Sequence, residues 1–514
     1  MKIRWWPDCA WLVSAVALTR FIFRSHYLYD IDSVNFALAL DRFDPSIHQP
    51  HPPGYFLYIC LGRLANAIFQ DANASFVAIS IAASAAAVVV VYALADEWFG
   101  RKAALFAGLI FLFSPLCWFH GTVALTYIVE AFFSALVGYL CWHIYLGNSG
   151  WLLPASAALG LAAGFRPSSL LLLGPVWLLS LSKVRAKQAA SACAMLVATV
   201  LAWLIPMLRE SGGPSAYFES LLALWRIVPS KQTVFNSPIA MSLARFCVVL
   251  GISVLCTGAA AIVIFKPAGS HRPLHGQIKK FTWFWITPGL LFFTLIFLKS
   301  VNSGYLLVLL PPVFAWLGLW ASEWHSTAKL SAPWKVGAIA VCAVVNIAIF
   351  LYAPLYCSYR EVRRFEKELS EIAAALPLVA APDETLIVGF DSHFLGYRHA
   401  AYYLPRYLTV QYPEVRLQPG LRVFAVEHRG TSLLSSIPSQ RFSRFVFFPL
   451  PSGDEYRAYL ISVRARFQPG ALRTAVIGGH EFVTGSVADL PAIFPNLAPV
   501  YTGFHAGSEA VYNR

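Results

Sequence analysis

The sequence predicts an all-α polytopic membrane domain followed by a soluble α/β domain. Three observations carry this. Of 514 residues, 58% are hydrophobic and only 13% charged, where a soluble protein carries roughly a quarter charged residues. Apolar runs of transmembrane length recur from Cys9 to Leu355, and the composition changes after Leu355.

Candidate spans are 9–23, 75–96, 103–119, 122–146, 152–165, 168–182, 189–208, 241–265, 281–298, 303–322 and 335–355. The first follows Met1-Lys2-Ile3-Arg4 but has no small-residue cleavage site before Arg24. It therefore reads as a retained transmembrane helix, not a signal peptide. Residues 53–70 are apolar as well, and whether they cross decides the topology. If they do not, one side collects Lys2, Arg4, Arg101, Lys102, Lys183, Arg185, Lys187, Lys266, Arg272, Lys279, Lys280, Lys329 and Lys335. The positive-inside rule makes that side the cytoplasm. If they do, every later cluster moves outside, against the rule. We place 53–70 as an interfacial or re-entrant helix on the outer face, opened by the breaker Pro52-Pro53-Gly54. The expectation is about 11 transmembrane helices plus outer juxtamembrane helices, with the N-terminus cytoplasmic. The stretches 25–74, 120–127 and 209–240 then face outward, as does the C-terminal domain.

The net charge of +13 sits mainly in short loops, where it orients the chain, so no nucleic-acid site is read from it. Nine cysteines fall between Cys9 and Cys357 without CxxC or Cys/His ligand spacing, which suits small core hydrophobes. The domains expected are 1–355, in the membrane, and 356–514, soluble and extracytoplasmic. In the latter a charged helix-like stretch, Arg360 to Ala375, leads into β-like runs at Thr385–Phe390, Arg422–Glu427, Phe445–Phe448 and Ala475–Gly478. Gly478-Gly479-His480 is a turn signal, not a phosphate loop.

Chemistry concentrates after the first span. Asp30 and Asp32 stand where that helix leaves the membrane, followed by Gln49-Pro50-His51-Pro52-Pro53-Gly54-Tyr55. A carboxylate there can take the proton of an acceptor hydroxyl while a lipid-linked donor approaches from the bilayer. Equally open is a capping role for Asp32 or Ser33 with Asp30 solvated. Glu130 lies in an apolar run, where a bare carboxylate costs on the order of 2–3 kcal/mol, so it should face a polar cavity; a helix–helix hydrogen bond is the alternative. Tyr127 shares its helix face. Arg166 suits either a phosphate clamp or an interface anchor. Lys299 and Tyr305 flank another outer turn and suit the same phosphate, Lys299 also a helix-end anchor. His51 either contacts substrate or holds its turn. Loop 209–240, with Arg209, Trp225, Arg226 and Lys231, is either a lid or an amphipathic surface segment.

Asp32-Ser33 followed by His51-Pro52-Pro53-Gly54-Tyr55-Phe56-Leu57-Tyr58 resembles the GT-C superfamily of integral-membrane glycosyltransferases, in its protein O-mannosyltransferase-like branch. That branch shows an Asp-Ser-Gly-Glu-like motif, here Asp32-Ser33-Val34-Asn35, and His-Pro-Pro-Gly-Tyr-Pro-Leu-Tyr, here with Phe56 for the Pro. Weaker echoes are Phe99-Gly100-Arg101-Lys102, Tyr127-Ile128-Val129-Glu130, Arg166-Pro167 and Gly304-Tyr305-Leu306-Leu307. The resemblance implies Asp32 as general base, Asp30 as a neighbour that orients a metal or raises its partner's pKa, and Glu130 as the second outer acid. His51, Tyr55, Tyr127, Arg166, Lys299 and Tyr305 become substrate-binding candidates. It implies a polyprenyl-phosphate sugar as donor, a hydroxyl of a lipid, glycan or protein as acceptor, and inversion, and it leaves a divalent cation open. A bacterial inner (plasma) membrane is the expected location. A non-enzymatic transporter or flippase is the alternative, against which the lack of a visible repeat counts.

Overall fold

The computed structural model describes residues 6–227, 233–235, 237–259, 275–298, 302–390, 392–412, 442–450 and 453–493. The chain divides into two compact units: residues 1–26, 43–45 and 52–362, and residues 27–42, 46–51 and 363–514. The division falls after Val362 instead of Leu355, and two pieces of the segment after the first helix belong with the C-terminal unit.

The first unit is helical. In chain order the helices are α1 (Trp6–Ile22), α2 (Ile31–Asp41), α3 (Phe56–Phe69), α4 (Ala72–Phe99), α5 (Arg101–Phe113), α6 (Pro115–His120), α7 (Tyr127–Tyr145), α8 (Leu152–Phe165), α9 (Ser168–Leu181), α10 (Ala186–Glu210), α11 (Pro214–Ile227), α12 (Ile239–Thr257), α13 (His275–Leu291), α14 (Leu310–Thr327) and α15 (Ala332–Tyr352), of which α2 alone belongs to the second unit. Among the described residues six helices are long and apolar enough to cross a membrane: α4, α7, α10, α12, the run Ser303–Thr327 that ends in α14, and α15. Several expected spans differ in form. The run 103–119 is broken at Ser114, whose hydroxyl accepts the Cys117 N–H at 3.3 Å and caps α6; Pro115 follows at the first helical position, where its missing donor costs nothing. The run 122–146 becomes helical only at Tyr127.

The 14 residues of α3 rise about 21 Å, short of a hydrocarbon core of about 30 Å. This fits the interfacial placement of 53–70. The consecutive helices α8 and α9 are also short, yet crossing by both or by neither leaves later parity unchanged. Reporter fusions after Gly100 and at the C-terminus are expected in opposite compartments; the same compartment for both would overturn the assignment.

At the centre, α4 packs against α1, α3, α5, α7 and α14, and α7 against α4, α8, α9 and the 3-10 segment Ser303–Leu309. Small residues let the backbones approach: Gly318 of α14 lies on Ala103 and Ala107 of α5 so closely that a Cβ would collide. Asp8 of α1 ties the bundle further, accepting from Arg101 Nε and Nη2 at 2.6 and 2.8 Å and from the Tyr92 hydroxyl at 2.7 Å. Leu64, Ile68, Leu178, Val341 and Val344 stay exposed, as lipid-facing side chains do. The chain is an integral membrane protein.

The second unit adds α16 (Tyr359–Val379), β1 (Thr385–Phe390), α17 (Tyr397–Tyr403), β2 (Leu408–Tyr412), β3 (Arg444–Phe447), α18 (Gly453–Arg464), β4 (Arg473–Ile477) and β5 (His480–Ser486). The five strands run in the order β2-β1-β3-β5-β4; β1 is parallel to β2 and β3, and β5 antiparallel to β3 and β4. Fully buried β1 reads Thr-Leu-Ile-Val-Gly-Phe, the continuous apolar run of a central parallel strand. Gly478 and Gly479, at φ 60° and 83°, supply the two positive angles that a tight hairpin needs between β4 and β5. On α16, Phe365, Leu369, Ile372 and Leu376 are buried at helical spacing. The expected strand Arg422–Glu427 lies outside the described residues.

Candidate functional site

Two clusters hold the sequence-derived candidates, one in each unit. In the second unit, Tyr29 sets its ring against Phe365 and Phe394 at 5.2 and 4.8 Å. The Tyr403 hydroxyl meets the Leu28 N–H at 2.7 Å, and the Ile31 N–H donates to the His393 carbonyl at 2.8 Å. This fixes the start of α2. Asp30, in extended backbone, accepts the Asp32 N–H on Oδ1 at 2.8 Å and is the N-cap. Neither Asp32 nor Ser33 caps the helix, and Asp30 is not solvated: it is 3% exposed. The physical reason is local, since α2 begins at Ile31, two residues earlier than an Asp32 cap requires.

Asp32 thereby stands in the first turn of α2. Its Oδ1 lies 3.3 Å from His51 Nδ1, and both side chains keep about a fifth of their surface exposed, 20% and 18%. The two halves of the motif therefore meet in one carboxylate–imidazole contact. His51 stands on the Ser46–His51 piece, which Arg398 holds through a 2.6 Å bond to the Ile47 carbonyl.

In the first unit the candidates converge on Arg166, at the C-terminal cap of α8. Its Nε is 3.1 Å from Glu130 Oε2, and its Nη1 donates to Thr126 Oγ1 at 3.1 Å. The Ser168 and Ser169 hydroxyls donate to Glu130 Oε1 at 3.3 and 3.2 Å. The rings of Tyr127, Tyr305 and Tyr55 surround the guanidinium at 4.3, 5.1 and 5.9 Å. The Arg166 and Glu130 side chains are 7% and 2% exposed. Arg166 is consequently no snorkelling interface anchor, and Glu130 faces an arginine and two serines instead of an open polar cavity. Burial demands this: a carboxylate in apolar surroundings needs a paired charge and hydrogen bonds on both oxygens. As placed, Glu130 fixes Arg166, and Arg166 is a cation held flat among aromatic faces.

His120 extends the cluster, with Nε2 3.3 Å from Ser303 Oγ and its ring 5.1 Å from that of Tyr127. Sequence reading missed Ser168, Ser169 and Thr126, although the first two follow Arg166-Pro167 directly and could have been proposed as its neighbours. It also missed Tyr217 of α11, whose hydroxyl donates to the Pro53 carbonyl at 3.0 Å. Thus loop 209–240 contains a helix bonded to the Pro-Pro turn, with Phe218, Leu222 and Trp225 exposed on it. Lys299 and Lys231 lie outside the described residues. Among the described residues no three His, Cys, Asp or Glu side chains form a metal-holding set, and no step is derived through a cation.

Residues 45–191 match the family model described as the protein O-mannosyl-transferase TMEM260 N-terminal domain. That stretch includes His51, Tyr55, Tyr127, Glu130 and Arg166, and excludes Asp30, Asp32 and Tyr305. No curated protein matches the chain by sequence. Among solved structures, ArnT from Cupriavidus metallidurans bound to undecaprenyl phosphate is similar at a TM-score of 0.57 and 14% identity, over 94% of this chain and 98% of that one. The apo form of ArnT gives 0.56 and 14%, over 93% and 97%. The likeness spans both units, so the expected class, a helical membrane domain with a C-terminal α/β domain, is the class of fold observed.

Proposed function

We propose that this chain, a GT-C membrane protein of the protein O-mannosyltransferase-like type, is a glycosyltransferase that moves a hexose or pentose from a polyprenyl-phosphate carrier to a hydroxyl on a lipid, glycan or protein. The observation that carries this reading is the Asp32–His51 contact at 3.3 Å, which joins the two motif halves at the start of α2. The fold it shares with a protein solved with undecaprenyl phosphate supports a lipid-phosphate donor.

The acceptor O–H gives its proton to the Asp32 carboxylate as its oxygen bonds to the anomeric carbon. The bond from that carbon to the phosphate oxygen breaks with inversion, and polyprenyl phosphate leaves as the anion. His51, with Nδ1 3.3 Å from the same carboxylate, receives the proton afterward. In the first unit, taken by itself, Arg166 has Nε and Nη1 committed to Glu130 and Thr126, and preoriented charge of this kind suits an anionic phosphate group. By the positive-inside parity the reaction takes place on the outer face.

The test is purified protein in liposomes with dolichyl- or undecaprenyl-phosphate carrying radiolabelled mannose, and host membranes as the acceptor source. Label should leave the carrier, appear in acceptor and release polyprenyl phosphate. Label that crosses the bilayer still attached to its carrier would establish the transporter reading instead.

A further inference from the structure

Arg20 of α1 is wholly buried, with 0% of its surface exposed. Its Nη1 donates to the neighbouring Thr19 hydroxyl at 2.9 Å, while Nε and Nη2 have no hydrogen-bond partner, and no carboxylate pairs with it among the described residues. The guanidinium carbon stands 5.1 Å from the centroid of the Trp118 ring. Two more buried donors lack partners in the same neighbourhood, Ser84 Oγ on α4 and Trp118 Nε1 on α6. A Cβ built on Gly121 would meet Arg20 Cγ at 2.8 Å and Ser84 Oγ at 3.0 Å, so these side chains share one space around the turn that follows α6. Trp118 is in turn stacked on Phe350 at 4.6 Å, which fixes its plane.

An isolated buried guanidinium is among the most costly groups a protein interior can hold, and contact with an aromatic face offsets only part of that cost. In a membrane such a residue marks a function, with its partner to be identified by its chemistry. Everything unsatisfied here is a donor. The Nε and Nη2 edge of arginine matches two oxygens of an oxyanion, and a hydroxyl and an indole N–H add two more donors. We propose that Arg20, Ser84 and Trp118 form a binding site for a phosphate-type oxyanion. The inference is independent of the sugar-transfer reading, since it uses none of the residues assigned to that reaction.

The test is the thermal midpoint of the full chain, wild type against Arg20→Met, read in three media: dodecyl maltoside with chloride only, the same detergent with 50 mM inorganic phosphate, and the same detergent with chloride and phosphatidylglycerol in mixed micelles. Without the oxyanion, Arg20→Met should be as stable as wild type or more so, because an apolar chain of similar length replaces an unpaired charge. With the oxyanion the wild type should gain a few degrees, and the variant should not. A gain with inorganic phosphate identifies a free anion; a gain with phosphatidylglycerol alone identifies a lipid phosphate. Should Arg20→Met fail to fold, Ser84→Ala is read in the same media, and its gain should be at least halved. A wild-type midpoint indifferent to both anion sources, or gains in the variants equal to those of wild type, would overturn the site.

Discussion

Asp32→Asn is expected to lower turnover by roughly 10²–10⁴-fold, or about 3–5 kcal/mol of barrier, while donor binding and the thermal midpoint stay at wild-type levels. The amide keeps the size of the side chain and its place beside His51, but it cannot take a proton from the acceptor. Stability is insulated because Asp30, not Asp32, caps α2. The control is Asp30→Asn: asparagine caps about as well as aspartate, so both the midpoint and turnover should move little. Asp30→Ala, which removes the cap, should cost on the order of 1 kcal/mol of stability. Steady-state rates with a radiolabelled donor and a melting curve for each variant settle the matter. Normal transfer by Asp32→Asn removes the base from the mechanism, and equal collapse in both asparagine variants points to a cation shared by the two carboxylates.

What was legible in the sequence, and what was not, follows from the range of the forces involved. The spans α4, α7 and α15 could be read because one residue after another must be apolar in lipid, and β1 because a central parallel strand is buried on both faces. The hairpin at Gly478-Gly479 could be read because only glycine readily supplies two consecutive positive φ angles. Residues 27–42 could not be assigned to the C-terminal unit, because the contacts that bind them, Tyr29 with Phe365 and Phe394, join positions hundreds of residues apart and leave no local pattern. The break at Ser114 has a local signal, Ser followed by Pro, which the apolar run obscured. In the clusters, single residues were recoverable from type and position, whereas pairings were not. Glu130, Arg166, Tyr55, Tyr127 and Tyr305 were each separate candidates, and their convergence on one guanidinium is a property of the packing of α7, α8 and the 3-10 segment Ser303–Leu309.

That convergence changes the expectation for Glu130→Gln, which from the sequence alone should stay folded and lose turnover sharply, with a purely structural hydrogen bond largely preserved by the amide. Glutamine removes the charge that balances Arg166 inside the membrane unit, leaving a buried guanidinium with only Thr126 and three aromatic rings around it. The expected cost is about 3–5 kcal/mol, the usual penalty for breaking a buried pair from one side. Arg166→Met should cost a similar amount, since it strands the carboxylate against Ser168 and Ser169. The double variant Glu130→Met, Arg166→Met removes both charges at once and should recover most of the loss, because well-packed apolar side chains can replace a buried ion pair with little change in stability. Melting temperatures of the four proteins in one detergent measure this, and a Glu130→Gln protein that melts with wild type would show the pair to be solvated. Activity of the double variant then separates structure from chemistry. If Arg166 only braces the bundle, the rescued protein transfers sugar; if it neutralises the donor phosphate, the rescued protein is folded and turns over at least 10²-fold more slowly.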